Sequence, residues 1–165
     1  MNDFAVFILS HGRAGNICTI QTLHKHGYTG DIIIVVDNED KTSEDYFDQY
    51  DNVQIFNKEK IALTFDEADN FQDRRTIVYA RNACFEIAKK LGYKYFMQLD
   101  DDYTYFEYRI YNSKRQKPQK ISSLDSVFIS LLEFYKSTKF DTISIAQGGD
   151  FIGGKENRMA KKPTI

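Results

Sequence analysis

The stretch "MQLDDDYTYF", residues 97–106, sets three consecutive aspartates, Asp100, Asp101 and Asp102, directly behind a short apolar run. Carboxylates packed this closely repel one another, so the crowding needs a compensating partner. Their hard oxygens suit Mg²⁺ or Mn²⁺. On a turn beyond a strand, Asp100 and Asp102 can face one ion while Asp101 points elsewhere, and the ion would offset the repulsion and bind a diphosphate. The bland alternative is a solvated acidic turn, because Asp is a common turn residue. The position of the triplet in the fold has to separate the two.

Two other segments carry comparable chemistry. "SHGRAGN" (10–16) supplies a hydroxyl from Ser10, an imidazole, the Arg13 guanidinium and two glycines ahead of a helix. Its backbone amides, with Arg13, can hold a phosphate or ribose. It is neither a GxGxxG nor a P-loop, and a glycine-containing turn with a solvent-facing Arg explains it equally well. "VVDNED" (35–40) ends an apolar run at Asp37, which can accept hydrogen bonds from a nucleobase or ribose, or serve as an ordinary turn residue. His11, His24 and His26 have no ligand spacing and read as turn and helix residues. Cys18 and Cys84 lie far apart without metal-ligand spacing, and read as buried thiols of a reducing cytoplasm.

These segments need strands to position them. "FAVFIL" (4–9) and "DIIIVV" (31–36) are continuous apolar runs, the pattern of strands buried on both faces. Between them "AGNICTIQTLHKHG" has helical spacing and a terminal glycine, Gly27, so the three form a βαβ unit. "NVQIF" (52–56) is a third strand, and 57–73 reads as a loop near the site. "RRTIVYARNACFEIAKKLG" is a helix capped by Asp73 and stopped by Gly92, with Ile77, Val78, Ala80, Cys84, Phe85, Ala88 and Leu91 as its apolar face. "YKYFMQL" (93–99) then delivers the aspartates at its carboxyl end, where open α/β sheets bind ligands. "YTYFEYRIY" (103–111) reads as another strand, "NSKRQKPQK" (112–120) as a basic loop, "SSLDSVFISLLEFYKS" as a helix opened by Ser122, and "DTISIA" (141–146) as a last strand. The alternation predicts an α/β fold with a mostly parallel sheet flanked by helices.

A chain of 165 residues suits a single domain spanning 1–165, although the patternless ending "GGKENRMAKKPTI" suggests a piece of a longer protein. The net charge of −2 gives no global attraction to nucleic acid or anionic membrane. Local contact with a DNA backbone would fall to Lys114, Arg115, Lys117 and Lys120, with Lys155, Arg158, Lys161 and Lys162 of the tail, unless these are merely solvated. No apolar run approaches the ~20 residues that span a bilayer, and no basic segment precedes the first apolar stretch, so no membrane partner and a cytoplasmic location are expected. Paired acids also serve phosphoacceptor receivers and toprim-type sites. The first would place acids where Ser10 and His11 stand, the second a glutamate near the first strand, and neither fits. Metal-assisted binding of a nucleoside diphosphate remains.

With these residues in view, "YARNACFEIAKKLGYKYFMQLDDDY" resembles the central segment of GT-A glycosyltransferases, with an Arg/Asn-bearing helix, a strand and the aspartate motif DxD. "FAVFILSHGRAGNICTIQTLHKHGYTGDIIIVVDNED" resembles their opening, nucleotide-holding βαβ unit. More narrowly, "SHGRAGN" and "ARN…LDDDY" resemble phage glycosyltransferases associated with base-modifying oxygenases, which act on hydroxymethylated DNA pyrimidines. The likeness covers roughly residues 4–37 and 74–104. It implies a GT-A, Rossmann-like fold and a glycosyltransferase of the hexosyltransferase type. The donor implied is a nucleotide-diphosphate sugar, UDP-linked, held with Mn²⁺ or Mg²⁺, and a phage origin would place the enzyme in the host cytoplasm. By position, Ser10 and Arg13 would lie near the nucleotide, Asp37 at the base or ribose, Arg81 and Asn82 at the donor, and Asp100 and Asp102 at the ion. An inverting enzyme also needs a general base, for which Asp150 in "QGGDFIGG" is the candidate beside its reading as a turn aspartate. Two rivals stand: a nucleotidyltransferase making a nucleotide sugar, and a catalytically inactive GT-A-like binding domain.

Overall fold

The computed structural model describes residues 3–68, 73–112 and 115–146. The backbone falls into two compact units, Met1–Tyr105 and Phe106–Ile165. In the first, strands β1 (Phe4–Leu9), β2 (Asp31–Asp37), β3 (Val53–Phe56) and β4 (Tyr95–Asp100) form one sheet in the order β3-β2-β1-β4, parallel throughout. Helix α1 (Cys18–Lys25) connects β1 to β2, α2 (Lys58–Ala62) follows β3, and α3 (Val78–Leu91) leads into β4. The order reverses at β1, whose neighbours are β2 and β4, so the crevice of this Rossmann-like α/β sheet opens at the carboxyl ends of β1 and its two partners.

Every residue of β1 is buried, which is why its sequence shows no polar alternation. Ala5, Phe7 and Leu9 face a core built with Ile33, Val35, Phe56, α2 residues Ile61 and Ala62, and α3 residues Tyr79, Ala83, Cys84, Ile87 and Ala88. Val6 and Ile8 alternate to the opposite face and are just as inaccessible. Phe7 stacks on Phe96 at 5.1 Å between ring centroids, tying β1 to β4. The register pairs Leu9 with Asp100, so Ser10 and Asp101 emerge side by side from adjacent strands.

Several element boundaries depart from expectation. α3 begins at Val78, because the Asp73 carboxylate accepts the Arg75 N–H and binds the Arg75 side chain, a local turn that competes with helix capping. Its buried stripe is Tyr79, Ala83, Cys84, Ile87 and Ala88, whereas Ile77, Val78, Phe85 and Leu91 are exposed. Gly92 does end α3, in the left-handed conformation at φ +84° that glycine adopts without strain. α1 starts only at Cys18, and the 57–73 segment contains α2, capped by the Asn57 side chain on the Lys60 N–H.

In the second unit, β5 (Glu107–Asn112) pairs antiparallel with β6 (Arg115–Lys120), and α4 (Leu124–Ser137) follows. The basic stretch expected as a loop is therefore largely a strand. A two-stranded ribbon tolerates Pro118, which lies opposite Arg109, because its other edge needs no donor. The cap of α4 is Ser123, accepting the Ser126 N–H, rather than Ser122. Residues 141–146, expected as a strand, have no ladder partner among the described residues and are mostly exposed. Alternating β-branched residues become a strand only beside another strand.

Candidate active site

Thr19, fully buried on the first turn of α1, fastens the aspartate turn to the sheet edge. Its hydroxyl donates to the Asp100 carbonyl at 2.6 Å and accepts the Tyr103 N–H at 2.9 Å. Its backbone N–H donates to the Asp101 carbonyl at 3.2 Å. The turn is thus held at both ends before any of its side chains acts.

The three carboxylates then take three different environments. Asp101 is buried, accepting the Ser10 hydroxyl at 2.6 Å and Arg13 Nη1 at 2.8 Å. Since Ser10 gives its one proton to Asp101, the 3.0 Å contact between Ser10 Oγ and the Tyr46 oxygen must carry the phenolic proton. That oxygen in turn accepts the Arg13 N–H at 2.9 Å. Arg13, Tyr46, Ser10 and Asp101 therefore close a ring of hydrogen bonds. Burial pushes the Tyr46 phenol above its usual value, keeping it a donor. Asp100 is part-exposed, with Oδ1 at 3.4 Å from Arg81 Nη2. Asp102 is 66% exposed at the side chain and lies 3.7 Å from Arg13 Nη1.

A second cluster stands at the end of β2. Asp37 is buried with both oxygens engaged: Oδ1 takes Lys58 Nζ at 3.0 Å and the Glu39 N–H at 3.0 Å, while Oδ2 meets His11 Nδ1 at 2.7 Å. Lys58 is itself buried, and Glu39 lies 3.7 Å from its ammonium. Gly12 turns through φ +69°, a conformation that L side chains rarely adopt, and its N–H reaches Asp40 Oδ2 at 2.6 Å. Burial would raise the Asp40 carboxyl, but the N–H groups of Gly12 and Thr42 and the Thr42 hydroxyl outweigh it and hold the pKa below the ordinary range.

The structure thus gathers Ser10, Arg13, Asp37, Arg81, Asp100 and Asp102 along one edge. Asn82 is not drawn in, since its amide donates to Val78 O on its own helix at 2.9 Å. Asp150 lies outside the described residues. Sequence reasoning overlooked Thr19, Asp40, Tyr46 and Lys58 and read His11 as a turn residue. Thr19 sits on a helix face that looks like core, and Tyr46 and Lys58 fall in segments without periodicity. For Asp40 alone the polar "DNED" turn offered a signal. A cleft of about 670 Å³ flanks Arg13 and Gly15, but Asp45 and Asp48 line it, which disfavours a diphosphate there.

Among the described residues no group of three or more His, Cys, Asp or Glu side chains is arranged as a metal cage. Magnesium, however, is ordinarily held by one or two carboxylates completed by substrate phosphates and water. Asp100, part-exposed, and Asp102, exposed, are carboxylates of that type. Among the described residues no helix is long and apolar enough to cross a membrane. A family model described as TET-Associated Glycosyltransferase matches residues 4–163. No curated protein and no solved structure matches the chain.

Proposed function

The chain belongs to the TET-associated glycosyltransferases, a family associated with base modification, and from that premise we propose a metal-dependent transfer from a nucleotide-diphosphate sugar to the hydroxyl of a hydroxymethylated pyrimidine in DNA. A glycosyltransferase needs a sugar donor and an acceptor, and the donor half of this reading rests on one observation. A part-exposed carboxylate, Asp100, and an exposed one, Asp102, flank a buried third at the carboxyl end of β4, with two arginines beside them.

In a GT-A reading of this edge, Asp100 and Asp102 would hold the Mn²⁺ or Mg²⁺ that accompanies the donor's diphosphate. The bound ion supplies Lewis-acid stabilisation of the leaving diphosphate. Arg13 is half-exposed and spends one nitrogen on Asp101, which leaves further N–H groups of its fork for phosphate oxygens. Arg81 contributes a second cation from α3, with its backbone carbonyl anchored by Gln98 Nε2 at 2.8 Å. Asn82 would reach the donor only by releasing Val78 O. Asp101, Ser10 and Tyr46 hold Arg13 in place rather than meeting the substrate. The acceptor hydroxyl must lose its proton to a base, for which Asp150 remains the candidate. Phosphate contacts of the DNA fall to the basic positions of β6, Arg115, Lys117 and Lys120.

Calorimetric titration of UDP, GDP and CDP, with and without Mn²⁺, on the wild type and Asp102→Ala tests the donor site. Binding that is absent, or that ignores the metal, defeats the reading. Mass spectrometry of hydroxymethylated and unmodified duplexes incubated with UDP-sugars tests the acceptor, where only the former should gain a hexose.

A further inference from the structure

Asp37, the expected contact to the nucleobase, is only 7% exposed and already has a partner on each oxygen. Lys58 and the Glu39 N–H occupy Oδ1, and His11 covers Oδ2. We infer that His11, not Asp37, reads the base of the donor nucleotide, as a hydrogen-bond acceptor selecting a ring that carries an N–H at its Watson–Crick edge, as uracil does and cytosine does not. This rests on the donor site proposed above.

The chemistry follows from the partners. Asp37 lies against the Lys58 ammonium as a carboxylate, and a carboxylate only accepts, so the His11 proton sits on Nδ1. In the neutral ring Nε2 is then a bare acceptor. The side chain is 57% exposed, so the ring is accessible to a ligand, while Asp37 behind it is 7% exposed. Lys58, at 8%, holds the carboxylate from α2 and is not available to solvent. Location supports the assignment. β2 and β4 flank β1, and neighbouring strands lie about 4.8 Å apart, so the ends of β2 and β4 are separated by roughly 10 Å. That is about the reach from a diphosphate across one ribose to its base. With the diphosphate at Asp100 and Asp102, the base arrives beside His11.

A bare Nε2 facing the N3–H of uracil makes a hydrogen bond, whereas facing the N3 lone pair of cytosine it leaves two acceptors opposed. An unpaired polar contact of that kind corresponds to roughly 10- to 100-fold in affinity. The test is titration of UDP and CDP with Mn²⁺ into the wild type and His11→Phe, with N3-methyl-UDP into the wild type as a probe that does not depend on a variant folding. The wild type should prefer UDP over CDP by that factor and reject N3-methyl-UDP. His11→Phe should bring the UDP to CDP ratio near one while binding stays Mn²⁺-dependent, and His11→Gln, which keeps an acceptor, should restore part of the preference. A merely structural role would weaken both nucleotides equally and leave the ratio unchanged. Equal wild-type affinities, tolerance of N3-methyl-UDP, or a preference that survives His11→Phe overturns the inference alone. Absence of any Mn²⁺-dependent nucleotide binding overturns the donor site beneath it as well.

Discussion

Asp101→Asn and Asp102→Asn should have opposite consequences, although the two positions adjoin. Asp101 is 7% exposed and accepts the Ser10 hydroxyl at 2.6 Å and Arg13 at 2.8 Å. Asparagine is nearly isosteric but has one acceptor oxygen in place of two, so its amide nitrogen must face one of those donors. A buried hydrogen bond to a charged group contributes about 1.5–3 kcal/mol, and the Ser10 bond belongs in that range. The Arg13 side chain is half-exposed, and screening reduces its share to about 0.5 kcal/mol. Removing a buried charge also recovers part of its desolvation cost, so the net loss is about 2 kcal/mol. In a chain of this size that lowers the melting temperature by about 4–8 °C. Asp102, with its side chain 66% exposed, should cost no more than about 0.5 kcal/mol on substitution, yet abolish Mn²⁺-dependent UDP binding. Scanning calorimetry of both variants, paired with nucleotide titration, reads the two effects separately. Equal melting temperatures would refute the division of roles, and so would loss of metal-dependent binding in Asp101→Asn alone.

The other expectations concern the scaffold. Against burial, which raises it, the Asp40 carboxyl is held low by hydrogen bonds from Gly12 and Thr42. A depressed carboxylate contributes stability that is present above its unfolded value, roughly 3.9, and is lost as pH falls through the lower folded value. Melting curves recorded down through that window should lose stability progressively, and Asp40→Asn should flatten that part of the profile. Tyr46→Phe removes the acceptor of the Arg13 N–H and the donor to Ser10, and should cost about 1–3 kcal/mol. An unshifted urea midpoint would contradict the closed ring. Burial pushes the Cys84 thiol up to about 12, so in the native protein a thiol reagent should label Cys18 and reach Cys84 only on unfolding.

The sheet was legible in the sequence because a strand buried on both faces leaves an unbroken apolar run, as "FAVFIL" does. Knowing which ends are carboxyl ends was enough to nominate Ser10, Arg13, Asp37 and Asp100. The partners of those residues were not legible, because each bond closes across the chain: Ser10 to Asp101 spans 91 positions and Arg13 to Tyr46 spans 33. No local pattern announces a tyrosine in a 3₁₀ turn as the acceptor for a loop amide. The start of α3 was missed for the opposite reason: Asp73 has a closer partner, Arg75, than the helix it was expected to cap. Residues 115–120 and 141–146 were exchanged in the reading, strand for loop and loop for strand. Strand formation depends on what lies alongside, which a segment's own residues do not specify.

The crowding of Asp100, Asp101 and Asp102 is resolved by separating the charges, and that separation bears on function. The carboxylates differ in their counterparts: Arg81 for Asp100, Ser10 and Arg13 for Asp101, and only the more distant Arg13 contact at 3.7 Å for the exposed Asp102. Two guanidiniums, Arg13 and Arg81, offset part of the repulsion. The bonds differ in strength in a way that suits exchange. Asp101 is locked by short contacts, whereas the Arg81 contact to Asp100 is long at 3.4 Å and only part-buried. In the proposed reaction an arriving diphosphate would draw Arg81 away from Asp100 at small cost, leaving the Asp100 carboxylate free to help hold a divalent ion. Arg13 can turn its spare N–H groups to the same phosphates without releasing Asp101. The buried middle aspartate therefore keeps one cation in position, while its more accessible neighbours stay available to exchange partners.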